Sequence, residues 1–205
     1  MNNMNEKKVP AKDAPVDRRT KRTKRALRQG LAVLLLKKSL KDISVRELTD
    51  AVDLHRGTFY AHYRDIFDLY ASIEAEIIEE VNEILDEYLP ECVEVEPFPV
   101  ILALIEYMYE NADICRMLFS QNGDMTFVER LADIVRTRCL HDWIDRYSGE
   151  KRVRCDYCGC YVISGCIAVL RRWVESGAPQ PPQEIAAIIE QMAVPGVEQL
   201  KRIAP

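Results

Sequence analysis

A run of about eighteen uncharged apolar residues, the least that spans a bilayer as a helix, occurs nowhere in this chain. The opening stretch MNNMNEKKVPAKDAPVDRRTKR also lacks the apolar core of a secretory signal. The expectation is a soluble, cytoplasmic protein with no membrane partner. Histidine is scarce: His55, His62 and His141 are dispersed along the chain. No glycine-rich phosphate loop follows a strand, and no G-x-S-x-G nucleophile motif occurs. Such a chain is expected to be no enzyme and to carry no cofactor; a deep pocket lined by carboxylates would bring the enzyme class back. The seven cysteines, an odd number without an export signal, suit no disulfide framework. They read as small buried hydrophobes.

What is present is a segregation of charge. The 205 residues, enough for a real core, carry a net charge of −5. Residues 1–64 hold 16 Lys and Arg against 7 Asp and Glu, whereas residues 65–205 hold 12 against 26. A basic head on an acidic body is the footprint of a chain in which one segment touches a polyanion. A merely solvated basic tail is the alternative.

Residues 1–17 contain prolines and charges but almost no large apolar residue, so they are expected to form a disordered arm. From Lys21 to about Lys38 a helical period sets in, with Leu27, Leu31, Leu34 and Leu35 on one face. Ser44 with Glu47 makes a capping box, and Val45, Leu48 and Val52 line a helix of two turns. After Asp53-Leu54-His55 a second short helix is expected from Arg56 to about Arg64, with Phe59 and Tyr63 facing inward. Two short helices about so tight a turn read as a helix-turn-helix. A long helix over 67–88 follows, then a proline-bearing loop over 89–99, then helices near 99–111, 114–121, 125–147, 152–176 and 182–202. The fold class is all-α, with no convincing strand or repeat.

With Phe59 and Tyr63 turned inward, Arg56, Gly57, Thr58, Tyr60, Ala61 and His62 are left on the exposed sides. Arg56 can fork onto guanine O6 and N7, and His62 can bond a base edge or a phosphate. The Thr58 and Tyr60 hydroxyls suit phosphate oxygens. Gly57 and Ala61 remove bulk, so the backbone can approach a groove.

At these residues the sequence resembles the TetR family of bacterial transcription regulators. The likeness covers residues 20–70 and is carried by "RGTFYAHY", where the family shows a polar or basic residue, then Gly-Thr-aliphatic-Tyr-x-His-Phe. It implies that Thr58 and Tyr60 hold phosphate, that Arg56, Ala61 and His62 face bases, and that Arg46 stands where some members place an arginine on a guanine. Three positions depart from the pattern. Asp53 replaces the turn glycine, which Asp tolerates; His55 replaces a Ser or Thr cap, which weakens the helix start; Ile66 replaces a phosphate-binding lysine.

More weakly, "YVISGCIAVLRRWVESGAPQPPQEIAAIIEQM" resembles the branch of the family that includes regulators of dihydroxyacetone kinase operons, some of which answer to protein partners. In the family the last two long helices pair across a dimer. That implies an interface from Ile163, Ile167, Leu170 and Trp173 with Ile185, Ile188 and Ile189; an intramolecular hairpin is the alternative. The resulting division is an arm over 1–17, a DNA-binding domain over 18–66, and an effector and dimerisation domain over 67–205. The expected function is a homodimeric repressor on a double-stranded DNA operator, answering to a small-molecule effector or, alternatively, to a protein partner or a thiol or metal state. Tyr107, Met108, Met117, Phe119, Phe127, Trp143 and Tyr147 are candidate pocket residues, although core packing competes for most of them. Cys155, Cys158 and Cys160 invite zinc, which needs four ligands. They lie in an expected helix, where Cys155, Cys158, Val162, Cys166 and Val169 follow a core period, so no metal is expected. A pure interaction protein is separated from a regulator by one test, salt-sensitive DNA binding.

Overall fold

The computed structural model describes residues 15–92, 98–120, 122, 125–144 and 150–203. Within them the chain is built from α1 (Pro15–Leu35), α2 (Val45–Ala51), α3 (Arg56–Tyr60), α4 (Ile66–Cys92), α5 (Phe98–Glu110), α6 (Ala112–Phe119), α7 (Met125–Ile144), α8 (Glu150–Glu175) and α9 (Pro182–Ile203), with a 3-10 turn at Leu40–Asp42. The all-α expectation holds. The expected arm over 1–17 lies outside the described residues up to position 14. From Pro15 onward the chain is helical, six residues before Lys21, because proline is at ease in a first helical turn.

The leucine spacing of α1 does what it predicts: Leu27, Leu31 and Leu35 are buried, together with Leu48 of α2, Phe59 of α3 and Tyr63. Gly30 sets how closely the first two helices approach. A Cβ there would stand 2.4 Å from Val52 Cγ1 and 3.0 Å from Leu48 Cδ1. The Ser44 hydroxyl accepts from the Glu47 N–H at 3.2 Å and caps α2, while the Glu47 carboxylate pairs with Lys38 instead of closing the capping box.

The long helix runs over Ile66–Cys92 rather than 67–88, and α5 begins at Phe98, so the proline-bearing connection is shorter than 89–99. Pro90 does not end α4, whose Ile73, Ile77, Val81 and Leu85 are buried along its length. One hydrophobic core continues from the head into the body, where α9 packs on α5 and α8. Arg138 of α7 donates to Asn82 Oδ1 of α4 at 3.1 Å, and Arg136 donates to Asp156 of α8 at 3.0 Å. Among the described residues no helix is long and apolar enough to cross a membrane.

Candidate nucleic-acid interface

The turn between α2 and α3 is made by Asp53 in the left-handed region at φ 52°, where a short polar side chain is tolerated. The Leu54 N–H then closes back on the Thr49 carbonyl at 2.9 Å. His55, expected to weaken the start of α3, caps it: its Nδ1 accepts from the Gly57 N–H at 3.1 Å. A Cβ on Gly57 would stand 3.1 Å from that nitrogen. The glycine therefore makes room for the imidazole cap as well as for any approaching groove, a local use that the bulk argument missed.

Helix α3 is shorter than expected. It ends at Tyr60 rather than near Arg64, since the next turn is taken up by the cap of α4, where Asp65 Oδ1 accepts from the Asp68 N–H at 2.8 Å. Ala61 is its C-cap, and His62 and Tyr63 follow as a turn whose N–H groups both bond the Phe59 carbonyl. Phe59 is fully buried and Tyr63 nearly so, their ring centroids 5.8 Å apart. Burial, and then the nearby Glu76 carboxylate, push the Tyr63 phenol up from its ordinary pKa, which keeps it neutral.

Arg56, Gly57, Tyr60 and Ala61 are exposed, Tyr60 at 58 %, whereas Thr58 and His62 are half-buried on the same short stretch. Arg46 is exposed one helix earlier and lies 3.6 Å from Asp50. Arg64 is engaged by Asp68, whose carboxyl is held below its ordinary pKa by hydrogen bonds from the Arg64 side chain and backbone. Ile66 is a core residue, 4 % exposed. A lysine in its place would have to leave the core before it could reach a phosphate, so the missing contact is matched by a gained apolar anchor.

In the body, several sequence-derived assignments change. Trp173, Ile185 and Ile189 are buried within the chain: the indole stacks on Tyr109 with centroids 6.0 Å apart and donates to the Gln180 carbonyl at 3.1 Å. A side chain already covered by its own subunit cannot form the expected dimer stripe. Ile163, Ile167 and Leu170 are half-buried, and Ile188 is exposed. The outward apolar face of α8 and α9 is instead Val153, Tyr157, Tyr161, Ile188 and Met192, with Tyr157 and Tyr161 74 % and 80 % exposed. Of the pocket candidates, Met117, Phe119 and Phe127 are buried side chains of the core. Tyr107 and Met108 pack partly buried against the core; the side chains of Trp143 and Tyr147 lie outside the described residues.

Two cysteine features bear on a thiol or metal switch. Cys158 is half-buried and Cys160 exposed, about 200° apart around α8 at 100° per residue, so they face opposite ways. The Cys155 side chain lies outside the described residues. Burial pushes the Cys115 thiol up to about 12 and raises that of Cys166, which disfavours the reactive thiolate.

Sequence reasoning also missed a polar bridge between head and body. Arg28 of α1 donates to Glu76 of α4 and to Asn111 at the start of α6, both at 3.3 Å, and the Asn122 side-chain amide donates to the Leu35 carbonyl at 3.1 Å. Nearby, Tyr107 Oη and Glu80 Oε2 are buried without a hydrogen-bond partner among the described residues. Burial and the Glu80 carboxylate raise the Tyr107 phenol well above its ordinary pKa, so it stays a neutral donor.

Two short helices about a tight turn, anchored by their own aromatic residues beside the basic α1 and joined to an acidic helical body, have the arrangement of a helix-turn-helix. Residues 96–194 match the family TetR_C_8, described as transcriptional regulator C-terminal region. That match covers just under half of the chain. The chain is 24 % identical over 177 residues to the uncharacterized HTH-type transcriptional regulator YxbF of Bacillus subtilis (strain 168), a match covering 85 % of this chain and 45 % of that protein. The chain thus spans less than half the length of that relative. Its fold is similar to the dihydroxyacetone kinase operon activator DhaS, with TM-score 0.57, 14 % identity, and 86 % and 97 % of the two chains covered. It is also similar to a TetR transcriptional regulator from Streptococcus agalactiae 2603V, with TM-score 0.56, 17 % identity, and 87 % and 97 % covered. All three bear the names of regulators or activators of transcription.

Proposed function

We propose that the chain is an operator-binding repressor, active as a homodimer and controlled through its C-terminal helices. The observation that carries the reading is the short stretch Arg56–His62, which keeps Arg56 and Tyr60 exposed while Phe59 is fixed in the core. In this reading Arg56 forks onto a guanine and Arg46 leaves Asp50 for a second base; His62 and Ala61 complete the base-facing set. Thr58 and Tyr60 hold phosphates and fix register.

The dimer surface is the outer face of α8 and α9 centred on Tyr157, Tyr161, Ile188 and Met192. It is supported by the exposure of two large aromatic side chains one helical turn apart, with Gly165 further along α8 open to space and able to admit a second backbone. The expected interface helices are kept, and the residues on them are reassigned. Control enters near Tyr107 and Glu80, whose unsatisfied oxygens suit an effector bearing a hydroxyl or ammonium group. Binding there would bias the Arg28–Glu76–Asn111 bridge and so the position of the head, which requires unequal affinity for two arrangements.

The test is selection of duplex DNA from a random pool by the full chain. An enriched inverted repeat, with half-site centres about one helical turn or a multiple of it apart and salt-sensitive affinity, is the expected result. A pool that never departs from random, with no salt-dependent retention, sinks the reading. A reporter behind the enriched sequence then reads the sign of control. Expression that falls when the chain is supplied supports repression; expression that rises makes the chain an activator instead.

A further inference from the structure

His55 supplies two acceptors at the start of α3. Its ring Nδ1 accepts from the Gly57 N–H at 3.1 Å, and its carbonyl accepts from the Thr58 N–H at 2.8 Å. The carbonyl accepts at any pH, whereas Nδ1 accepts only while it carries no proton. A backbone N–H can only donate, so the bond fixes the neutral ring as the tautomer with its proton on Nε2. A second proton goes to Nδ1, turns that acceptor into a donor and ends the bond. Histidine is the side chain whose charge changes between about pH 5 and 8. His55 is exposed, so solvent protons reach it. The Ser or Thr of the family pattern caps without titrating; the histidine makes the cap answer to pH.

The two ends of α3 are held unequally. At its C-terminal end the core does the holding: Phe59 is fully buried, its ring centroid lies 5.8 Å from that of Tyr63, and its carbonyl accepts from the N–H groups of His62 and Tyr63. The N-terminal end has no apolar anchor. Arg56 and Gly57 are exposed there, and glycine is a weak helix former. In a helix of five residues the first turn is most of the element, so the cap carries a large share of its order. Release of the cap therefore loosens Arg56 while Phe59 stays in place.

The charged groups on the elements about the ring are matched. Asp53 stands in the turn before it and Arg56 directly after it, and on α2 Arg46 and Asp50 lie 3.6 Å from each other. His62, the other histidine of the stretch, is half-buried with its ring 6.3 Å from that of Tyr63. With two cations set against two carboxylates, the cap bond is what separates the neutral ring from the charged one.

We infer that His55 is a proton-sensitive positioning residue, which when neutral holds Arg56 in its base-reading place and when protonated gives up that reading for indiscriminate attraction to phosphate. The inference rests on the DNA-binding reading above. As the pH falls through the titration of the imidazole, the cap is lost and readout by Arg56 weakens. The same proton puts a cation beside Arg56, which strengthens binding to any duplex, since phosphates carry no base identity. In total affinity the two effects oppose each other. In the ratio of affinities for selected and random duplexes they act together, so that ratio is what His55 governs.

The experiment measures the affinity of the full chain for the duplex selected from the pool and for a random-sequence duplex at about pH 7.5 and 5.5, within the range where imidazoles change charge. The ratio should fall about three- to tenfold in acid, the loss expected of a missing N-cap. His55→Asn, which caps without titrating, should keep the ratio within about twofold of the native value at the higher pH and hold it there in acid. His55→Ala should show the low ratio at both. In the free chain, followed by NMR, the Gly57 amide resonance should move with the ring signals of His55 and share their midpoint. A native chain with the same ratio at both pH values overturns this inference and leaves the helix-turn-helix reading standing. A fall that survives His55→Asn overturns it as well and assigns the proton to another group, with His62 the first to test. A Gly57 amide that ignores the titration of His55 overturns the release of the cap. Failure of the native chain to bind any duplex overturns both readings.

Discussion

Gly30 shows how one hydrogen in place of a methyl can decide the geometry of the head. With a Cβ projected to 2.4 Å from Val52 Cγ1, Gly30→Ala must push α2 away from α1, and overpacking of that kind costs about 1–3 kcal/mol. The loss should appear as a lower denaturation midpoint, with part of it restored by adding Val52→Ala. At the interface, Arg56→Ala should cost about 1–3 kcal/mol of DNA affinity, concentrated at one base position in each half-site. Tyr60→Phe should instead weaken selected and random duplexes alike. If Arg56→Ala weakens all sequences equally while Tyr60→Phe alters base preference, the two roles are exchanged. Ile66→Lys places a charge at a 4 % exposed position and should lower stability before it can add a phosphate contact. The individual residues were legible in uneven ways. Phe59, Tyr63 and the leucines of α1 follow from periodicity alone. The imidazole cap of His55 does not, because its side chain had to find the Gly57 N–H in three dimensions.

Among the elements, the helices were legible where an apolar face repeats, as in α1, α4 and α9, and their ends were not. Pro90 and Pro182 show why: one lies inside α4 and the other opens α9, and proline alone does not say which. The same ambiguity holds for the large apolar residues of α8. Trp173 and Tyr161 both belong to α8, and a large apolar residue suits a partner subunit as well as a neighbouring helix. Only the packing of Tyr109 and the Gln180 carbonyl around the indole decides for the interior. Two substitutions separate the cases. Trp173→Glu buries an unpaired charge and should lower thermal stability severely. Tyr161→Glu touches an 80 % exposed side chain and should leave the fold intact while shifting sedimentation to a monomer. A Tyr161→Glu chain that still sediments as a dimer would move the interface off this face.

For the whole molecule, charge segregation announced a basic head and an acidic body, but not how they are joined. The joint is the continuous core with the Arg28 bridge and the Asn122–Leu35 tie. A head held this way should unfold together with the body, in one transition. Arg28→Ala combined with Asn122→Ala should split that transition or add an early one, seen by calorimetry; a single unshifted transition would show that the apolar contacts suffice. The brevity of α3 has a consequence for the genome rather than the protein. Its five residues extend about 7.5 Å, which is about two base-pair steps at 3.4 Å each. By itself α3 can therefore distinguish only on the order of tens of short words, against about a million or more competing sites. An address that a cell can use has to be spelled twice. Any change that separates the two copies should not silence the protein on DNA so much as make it illiterate, spread thinly over every promoter that happens to contain half the word.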